Sequence, residues 1–159
     1  HTTEPRISLN QNVKSSLIKL YSSDLGLLTA QYGNAMKSKI LLADNKVNLG
    51  GVYENFVAEE LKAHGYDLYF YNSHSIGELD FVIEHDLGVV PIEVKSGKDY
   101  YVHSAINKVV NNSEYNIKEA YVFAHCNIEI IGKTIYYPIY MCRFLTEEIT
   151  MPVLSAIDI

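Results

Sequence analysis

Asp80, Glu93 and Lys95 stand in two short runs that could assemble a metal-assisted hydrolytic centre. The first run is Gly77-Glu78-Leu79-Asp80-Phe81-Val82-Ile83-Glu84, and the second is Val89-Val90-Pro91-Ile92-Glu93-Val94-Lys95. Two carboxylates can hold Mg²⁺, or Mn²⁺ in its place, with water and phosphate oxygens completing the octahedron. A metal so held lowers the pKa of a bound water and polarises a phosphoryl oxygen. Lys95, two residues beyond Glu93, would orient that water and offset charge in the transition state. The chemistry this equipment suits is hydrolysis of a phosphodiester.

The elements that must position these groups are legible in the same runs. Both alternate apolar and polar residues, the pattern of a half-buried strand. His85-Asp86-Leu87-Gly88 joins them as a turn. A two-residue or four-residue loop there sets Asp80 opposite Glu93 and Glu78 opposite Lys95, all four on one sheet face. Leu79, Phe81, Ile83, Val90, Ile92 and Val94 then face the core. Two carboxylates directly opposite at ~5 Å repel by about 3 kcal/mol at an effective dielectric of ~20, and a cation between them reverses that sign. The competing reading is a solvated outer face, with Glu78 and Lys95 as an exposed pair worth well under ~1 kcal/mol. A three-residue loop with a bulge would move the pairing.

Glu54 supplies a third acid. Residues Val47 to Gly65 read as a helix with Asn48 as its cap and Gly65 as its stop. Glu54, Val57, Ala58 and Leu61 fall on one stripe of it, whereas Glu59 and Glu60 lie off that stripe and are expected in solvent. A carboxylate within an apolar stripe is costly unless paired or metal-bound. The alternative is that Glu54 sits at the rim and reaches water.

Around this centre the chain reads as a loose polar lead-in over His1 to Asn12. Short pieces around Asp24-Leu25-Gly26 and a short helix from Ala35 to Asp44 follow. Leu68 to Tyr71 is expected to be a strand. His103 to Asn112 is expected as a helix with Ile106, Val109 and Val110 inward and His103, Asn107 and Asn111 on a polar outer stripe. Ala120 to Ala124 and Ile135 to Met141 complete the expected strands. Thirteen tyrosines suit strands, with base stacking the lesser alternative. The expected organisation is residues 1–46 as a lead-in and helical segment packing on a core domain of residues 47–159.

Composition bounds the function. At 159 residues and 48% hydrophobic content, the chain can bury a real core and is not disordered. Cys126 and Cys142 are too few for a disulfide framework or zinc cluster, so a cytoplasmic setting is the expectation. No apolar run is long enough to span a bilayer. Gly132-Lys133-Thr134 resembles the end of a phosphate-binding loop, but Asn127 stands where the upstream glycine is required, and a strand follows. The chain opens at His1, which suggests an excised or processed piece of a longer protein. A net charge of −6, with Arg6 and Arg143 the only arginines, opposes avid nucleic-acid binding. A nucleic-acid substrate would be held weakly by this domain alone. The six histidines form no ligand set. His85 lies in the turn, and His74, nearer the acids, is a proton-relay candidate or a surface loop residue.

Helix Glu54, then Asp80, then Glu93-Val94-Lys95 across a hairpin resembles the PD-(D/E)xK, restriction-endonuclease-like nuclease superfamily. Gly77-Glu78-Leu79-Asp80 with Ile92-Glu93-Val94-Lys95 is similar to its Holliday-junction-resolvase-like branch. A wider set covers nearly the whole chain: Lys19-Leu20-Tyr21-Ser22-Ser23-Asp24-Leu25-Gly26-Leu27-Leu28, Tyr53-Glu54-Asn55-Phe56-Val57, Gly77-Glu78-Leu79-Asp80-Phe81-Val82 and Pro91-Ile92-Glu93-Val94-Lys95-Ser96-Gly97. That order resembles a domain of unsettled biochemical role found C-terminal to an AAA-type ATPase module in many prokaryotic proteins. One departure from the superfamily pattern is Leu79, where proline often precedes the first acid.

The resemblance implies an α/β, restriction-endonuclease-like mixed sheet flanked by helices, with an α-β-β-β-α-β core. It implies an ATPase module in the same polypeptide and a Mg²⁺-dependent nuclease-like activity. Asp80 and Glu93 would bind the metal, Glu54 would help hold it through water, and Lys95 would position the nucleophile. Glu78 is a lesser candidate that would orient Lys95. The rival from another class is a non-catalytic interaction or regulatory module of the ATPase. A homo-oligomer pairing acidic faces through metal is a third arrangement.

Overall fold

The computed structural model describes residues 1–14, 16–42 and 48–146. The expected helix end at Asp44 and helix start at Val47 lie outside them. The elements run α1 (Leu25–Ala30), α2 (Asn34–Leu41), α3 (Gly50–Ala63), β1 (Tyr69–Ser73), β2 (Gly77–His85), β3 (Gly88–Val94), α4 (Ser104–Asn111), β4 (Ala120–Ala124), β5 (Glu129–Ile131) and β6 (Thr134–Pro138). From α3 to β4 this is the expected α-β-β-β-α-β order. The six strands form one mixed sheet in the order β1-β2-β3-β4-β6-β5. β1 and β3 each pair antiparallel with β2, β4 runs parallel to β3 and β6, and β5 returns antiparallel on β6.

Local chemistry explains the elements that carry the acids. Leu49, not the expected Asn48, is the N-cap of α3 and makes no side-chain cap bond, while Asn48, one residue earlier, accepts the Gly50 N–H at 3.0 Å. Gly65, at φ +92°, stops it while Tyr66 N–H closes onto Leu61 O, a left-handed end that glycine adopts without a Cβ penalty. The β2–β3 hairpin turns through two residues, Asp86 and Leu87, at φ +47° and +58°. That doubly left-handed turn matches the strand twist and realises the shorter of the two expected loops.

The half-buried reading of the hairpin is corrected. Helices cover both sheet faces, and β3 is buried from Val89 to Glu93. Phe81, Ile83, Val90 and Ile92 pack with Val57, Ala58 and Leu61 of α3. Leu79 instead joins Val82 and Val89 against Ala105, Ile106 and Val109 of α4. The reason is a bulge: β1 advances from Tyr69 to Tyr71 while β2 runs from Val82 to Leu79. The extra residue of β2 flips the alternation beside Asp80.

Four further expectations change. The lead-in is not loose, since Thr2 N–H bonds Phe70 O at 2.8 Å and Leu9 is fully buried in the α4-side core. The last expected strand ends at Pro138 and continues as a 3₁₀ turn, Ile139–Phe144. β5, too short to show a period, was not expected; it turns into β6 through Gly132 at φ +60°. His103 is buried, not on an outer stripe, because its Nε2 pairs with Tyr136 OH at 2.6 Å. Among the described residues no helix is long and apolar enough to cross a membrane.

Candidate functional site

Asp80 sits where the β2–β3 ladder stops. The last strand pair is Phe81 with Ile92, and beyond it the Asp80 side chain takes over the pairing. Asp80 Oδ2 accepts the Val94 N–H at 2.8 Å. Burial pushes the Asp80 carboxyl up from 3.8 to about 7, and the nearby Glu93 and Glu54 charges add to this. The Val94 N–H and Lys19 pull the other way. An acid whose anion is this disfavoured, set beside a second acid, is a frequent mark of a functional site.

Glu93 is buried on the central strand β3. Its Oε1 accepts from Lys95 Nζ at 2.7 Å. Its Oε2 is buried with no hydrogen-bond partner, a lone pair left unsatisfied at a cost of about 1–3 kcal/mol. Glu93 thus presents one oxygen to Lys95 and holds the other in reserve.

Glu54 projects from the α3 stripe, but its charge is answered by the N-terminal segment. Tyr21 OH donates to Glu54 Oε1 at 2.6 Å, and Lys19 Nζ donates to the same oxygen at 2.9 Å. Burial and the Glu54 carboxylate hold the Tyr21 phenol well above its usual range. Lys19 Nζ also lies 2.7 Å from Glu78 Oε1 and 3.7 Å from Asp80 Oδ1. Burial alone would lower the Lys19 ammonium, and its bonds to Glu78 and Glu54 outweigh that and raise it.

The five expected site residues therefore fall into two linked groups. Asp80, Glu93 and Lys95 form one at the end of the hairpin, and Glu54 and Glu78 join Asp80 through Lys19. Glu78 does not orient Lys95. Its carboxylate pairs with Lys19 and takes Asn72 Nδ2–H at 3.0 Å, while Lys95 turns to Glu93. Among the described residues no three His, Cys, Asp or Glu side chains are placed together as a metal-ligand group. His74 is exposed, and His85 pairs with Tyr66 OH at the far end of the hairpin.

Lys19 and Tyr21 are the site residues that the sequence reading passed over. Their i, i+2 spacing in Lys19-Leu20-Tyr21 is the available signal, because an extended segment puts both on one side. The same segment explains Asn55, buried on α3, which accepts Ser22 N–H at 2.7 Å and donates to Ser22 O at 3.2 Å. Glu59 and Glu60, expected in solvent, are also engaged. Glu59 accepts the Leu25 N–H at the start of α1, and Glu60 lies 3.5 Å from Arg143.

A family profile described as "Domain of unknown function (DUF4143)" matches residues 49–140, more than half of the chain. This span runs from the start of α3 to just past β6 and includes Glu54, Glu78, Asp80, Glu93 and Lys95. Lys19 and Tyr21 lie before it. No curated protein and no solved structure matches the chain.

Proposed function

This chain belongs to the DUF4143 family, and on that premise we propose that its acidic centre is a Mg²⁺-dependent phosphodiester hydrolase site of the PD-(D/E)xK type. The domain would work beside an AAA-type ATPase module in the same polypeptide. The observation that carries this reading is the pair Asp80 and Glu93. One is a carboxyl driven toward its neutral form by burial and by the other, and Glu93 keeps a buried oxygen with no partner. Both conditions are what a bound cation relieves. The residues fit an ion held by one or two carboxylates and otherwise by water, so Asp80 and Glu93 would hold Mg²⁺ or Mn²⁺. The bound ion would supply a nucleophilic water at neutral pH and polarise the phosphoryl oxygen.

The chain's own groups divide the remaining work. Val94 N–H fixes the rotamer of Asp80. Lys95, held 2.7 Å from Glu93 Oε1, carries a positive charge to the mouth of the pair, where it would orient the attacking water and meet developing charge. Glu54, anchored by Tyr21, would act on the site through water. A net charge of −6 opposes tight nucleic-acid binding by the domain alone, and the ATPase part would supply the basic surface.

One observation favours a second reading, a non-catalytic interaction or regulatory module of the ATPase. Lys19 already gives Glu54, Glu78 and Asp80 a cation. Two measurements separate the readings. Under the first, Mn²⁺ at 100-fold above its Kd should raise the melting temperature by about 5 °C or more. Asp80→Asn with Glu93→Gln should abolish that shift. The chain should also nick supercoiled plasmid with Mn²⁺, and Lys95→Ala should lower the rate at least 100-fold. Absence of both a metal shift and Lys95-dependent nicking would overturn the hydrolase reading in favour of the second.

A further inference from the structure

Lys19 reaches the acids from a stretch with no regular structure. Residues 18–22 form neither helix nor strand, and Ile18 and Leu20, on either side of Lys19, are 74% and 87% exposed. Downstream, the stretch is pinned to α3 by the Tyr21–Glu54 and Ser22–Asn55 hydrogen bonds. Its neighbours project outward, while the Lys19 side chain alone of the three turns in, 20% exposed, against three carboxylates. The ammonium also lies 5.3 Å from the centre of the Phe70 ring, a face that attracts cations. A cavity of about 230 Å³ lined by Lys19, Tyr69, Phe70 and Asp80 adjoins the group.

We propose that Lys19 is a built-in competitor for the metal: its ammonium and a divalent ion contend for Glu54 and Asp80, so metal enters only as Lys19 withdraws toward Glu78 and Phe70. The inference rests on the metal reading of Asp80 and Glu93, and adds to it the control of that site. Like charges at hydrogen-bond distance from a shared carboxylate repel strongly where solvent is sparse. Residues 18–20 belong to no helix or strand, so they can move without breaking one, and the adjoining cavity gives the side chain room. Glu78, the most exposed of the three acids, and the Phe70 ring leave the withdrawn ammonium with partners. The N-terminal segment therefore sets how readily the acidic centre takes up a divalent ion, and whatever displaces it loads the site.

Mn²⁺ affinity of the 159-residue chain, measured by electron paramagnetic resonance, tests this in wild type, Lys19→Met and Lys19→Arg. Lys19→Met should bind Mn²⁺ at least tenfold more tightly than wild type, and Lys19→Arg, which keeps the charge, should stay within threefold. Equal or weaker binding by Lys19→Met, with wild type binding, overturns the competition and leaves the metal reading standing. Binding by neither chain overturns the metal reading itself, and the competition falls with it.

A second readout needs no variant. Acetylation of lysines, followed by mass spectrometry, should label Lys19 at least tenfold more slowly than exposed Lys62 in metal-free protein. Saturating Mn²⁺ should speed Lys19 labelling at least fivefold and leave Lys62 unchanged. Mn²⁺ binding with unaltered Lys19 labelling would also overturn the proposal.

Discussion

Asp80 Oδ2 accepts the Val94 backbone N–H at 2.8 Å, so a side chain replaces a strand carbonyl where the hairpin ladder ends. This bond joins β2 to β3 and holds the Asp80 carboxyl within reach of the Glu93 charge, which helps raise its pKa. The bulge beside Asp80 frees it from the regular alternation. Bulges next to functional residues commonly re-aim a side chain in this way.

The Asp80 carboxyl makes stability depend on pH. Its folded-state pKa, about 7, lies above the ordinary 3.8, so the folded chain holds this proton more tightly than the unfolded chain. The stabilising contribution is fully present below about pH 4 and is lost as pH rises through about 7. Asp80→Asn removes the titration and still offers an oxygen to Val94 N–H. In metal-free buffer the variant should gain roughly 2–4 kcal/mol on wild type between pH 4 and pH 8. Urea denaturation at intervals across that range checks it, and parallel pH profiles for the two proteins would refute it.

Leu9 tests whether the N-terminal segment belongs to the core. Its side chain is fully buried among Leu79, Val82, Ala105 and Ile106, and its N–H bonds the Glu84 carboxylate. Leu9→Ala should destabilise by about 3 kcal/mol through lost burial and the cavity left behind. A loss below about 1 kcal/mol in chemical denaturation would mean that the segment does not pack there in solution.

Leu87 offers a gain. It occupies the second turn position of the β2–β3 hairpin at φ +58° and is 96% exposed. An L residue with a Cβ pays about 1 kcal/mol for that conformation, and glycine does not. Leu87→Gly loses no packing and should stabilise by about 1 kcal/mol, seen as a higher urea midpoint with an unchanged slope. A destabilised variant would show that the turn is not of this type.

Much of the fold was legible along the chain because local rules suffice for it. The α3 stripe of Val57, Ala58 and Leu61 and the left-handed stop at Gly65 follow from spacing and turn chemistry, whereas the length of the β2–β3 loop, left open by the pattern, was decided by Asp86 and Leu87 taking positive φ. The same patterns place Glu54 on α3, Asp80 on β2, Glu93 on β3 and Lys95 just past its end. β5 was invisible because three residues carry no period, and His103 was misplaced because its buried partner, Tyr136, lies 33 residues away.

By itself, then, the sequence determined the α-β-β-β-α-β order from α3 to β4 and the pairing of the strands that carry Asp80 and Glu93, since both arise from period. Only the tertiary structure decided which charges meet. Lys19 reaches Glu54, Glu78 and Asp80 across 35, 59 and 61 residues of chain, and Lys95 takes Glu93 where the pattern offered Glu78. A long ammonium side chain is steered by whatever carboxylates the packed fold leaves within reach, and no local rule encodes that choice.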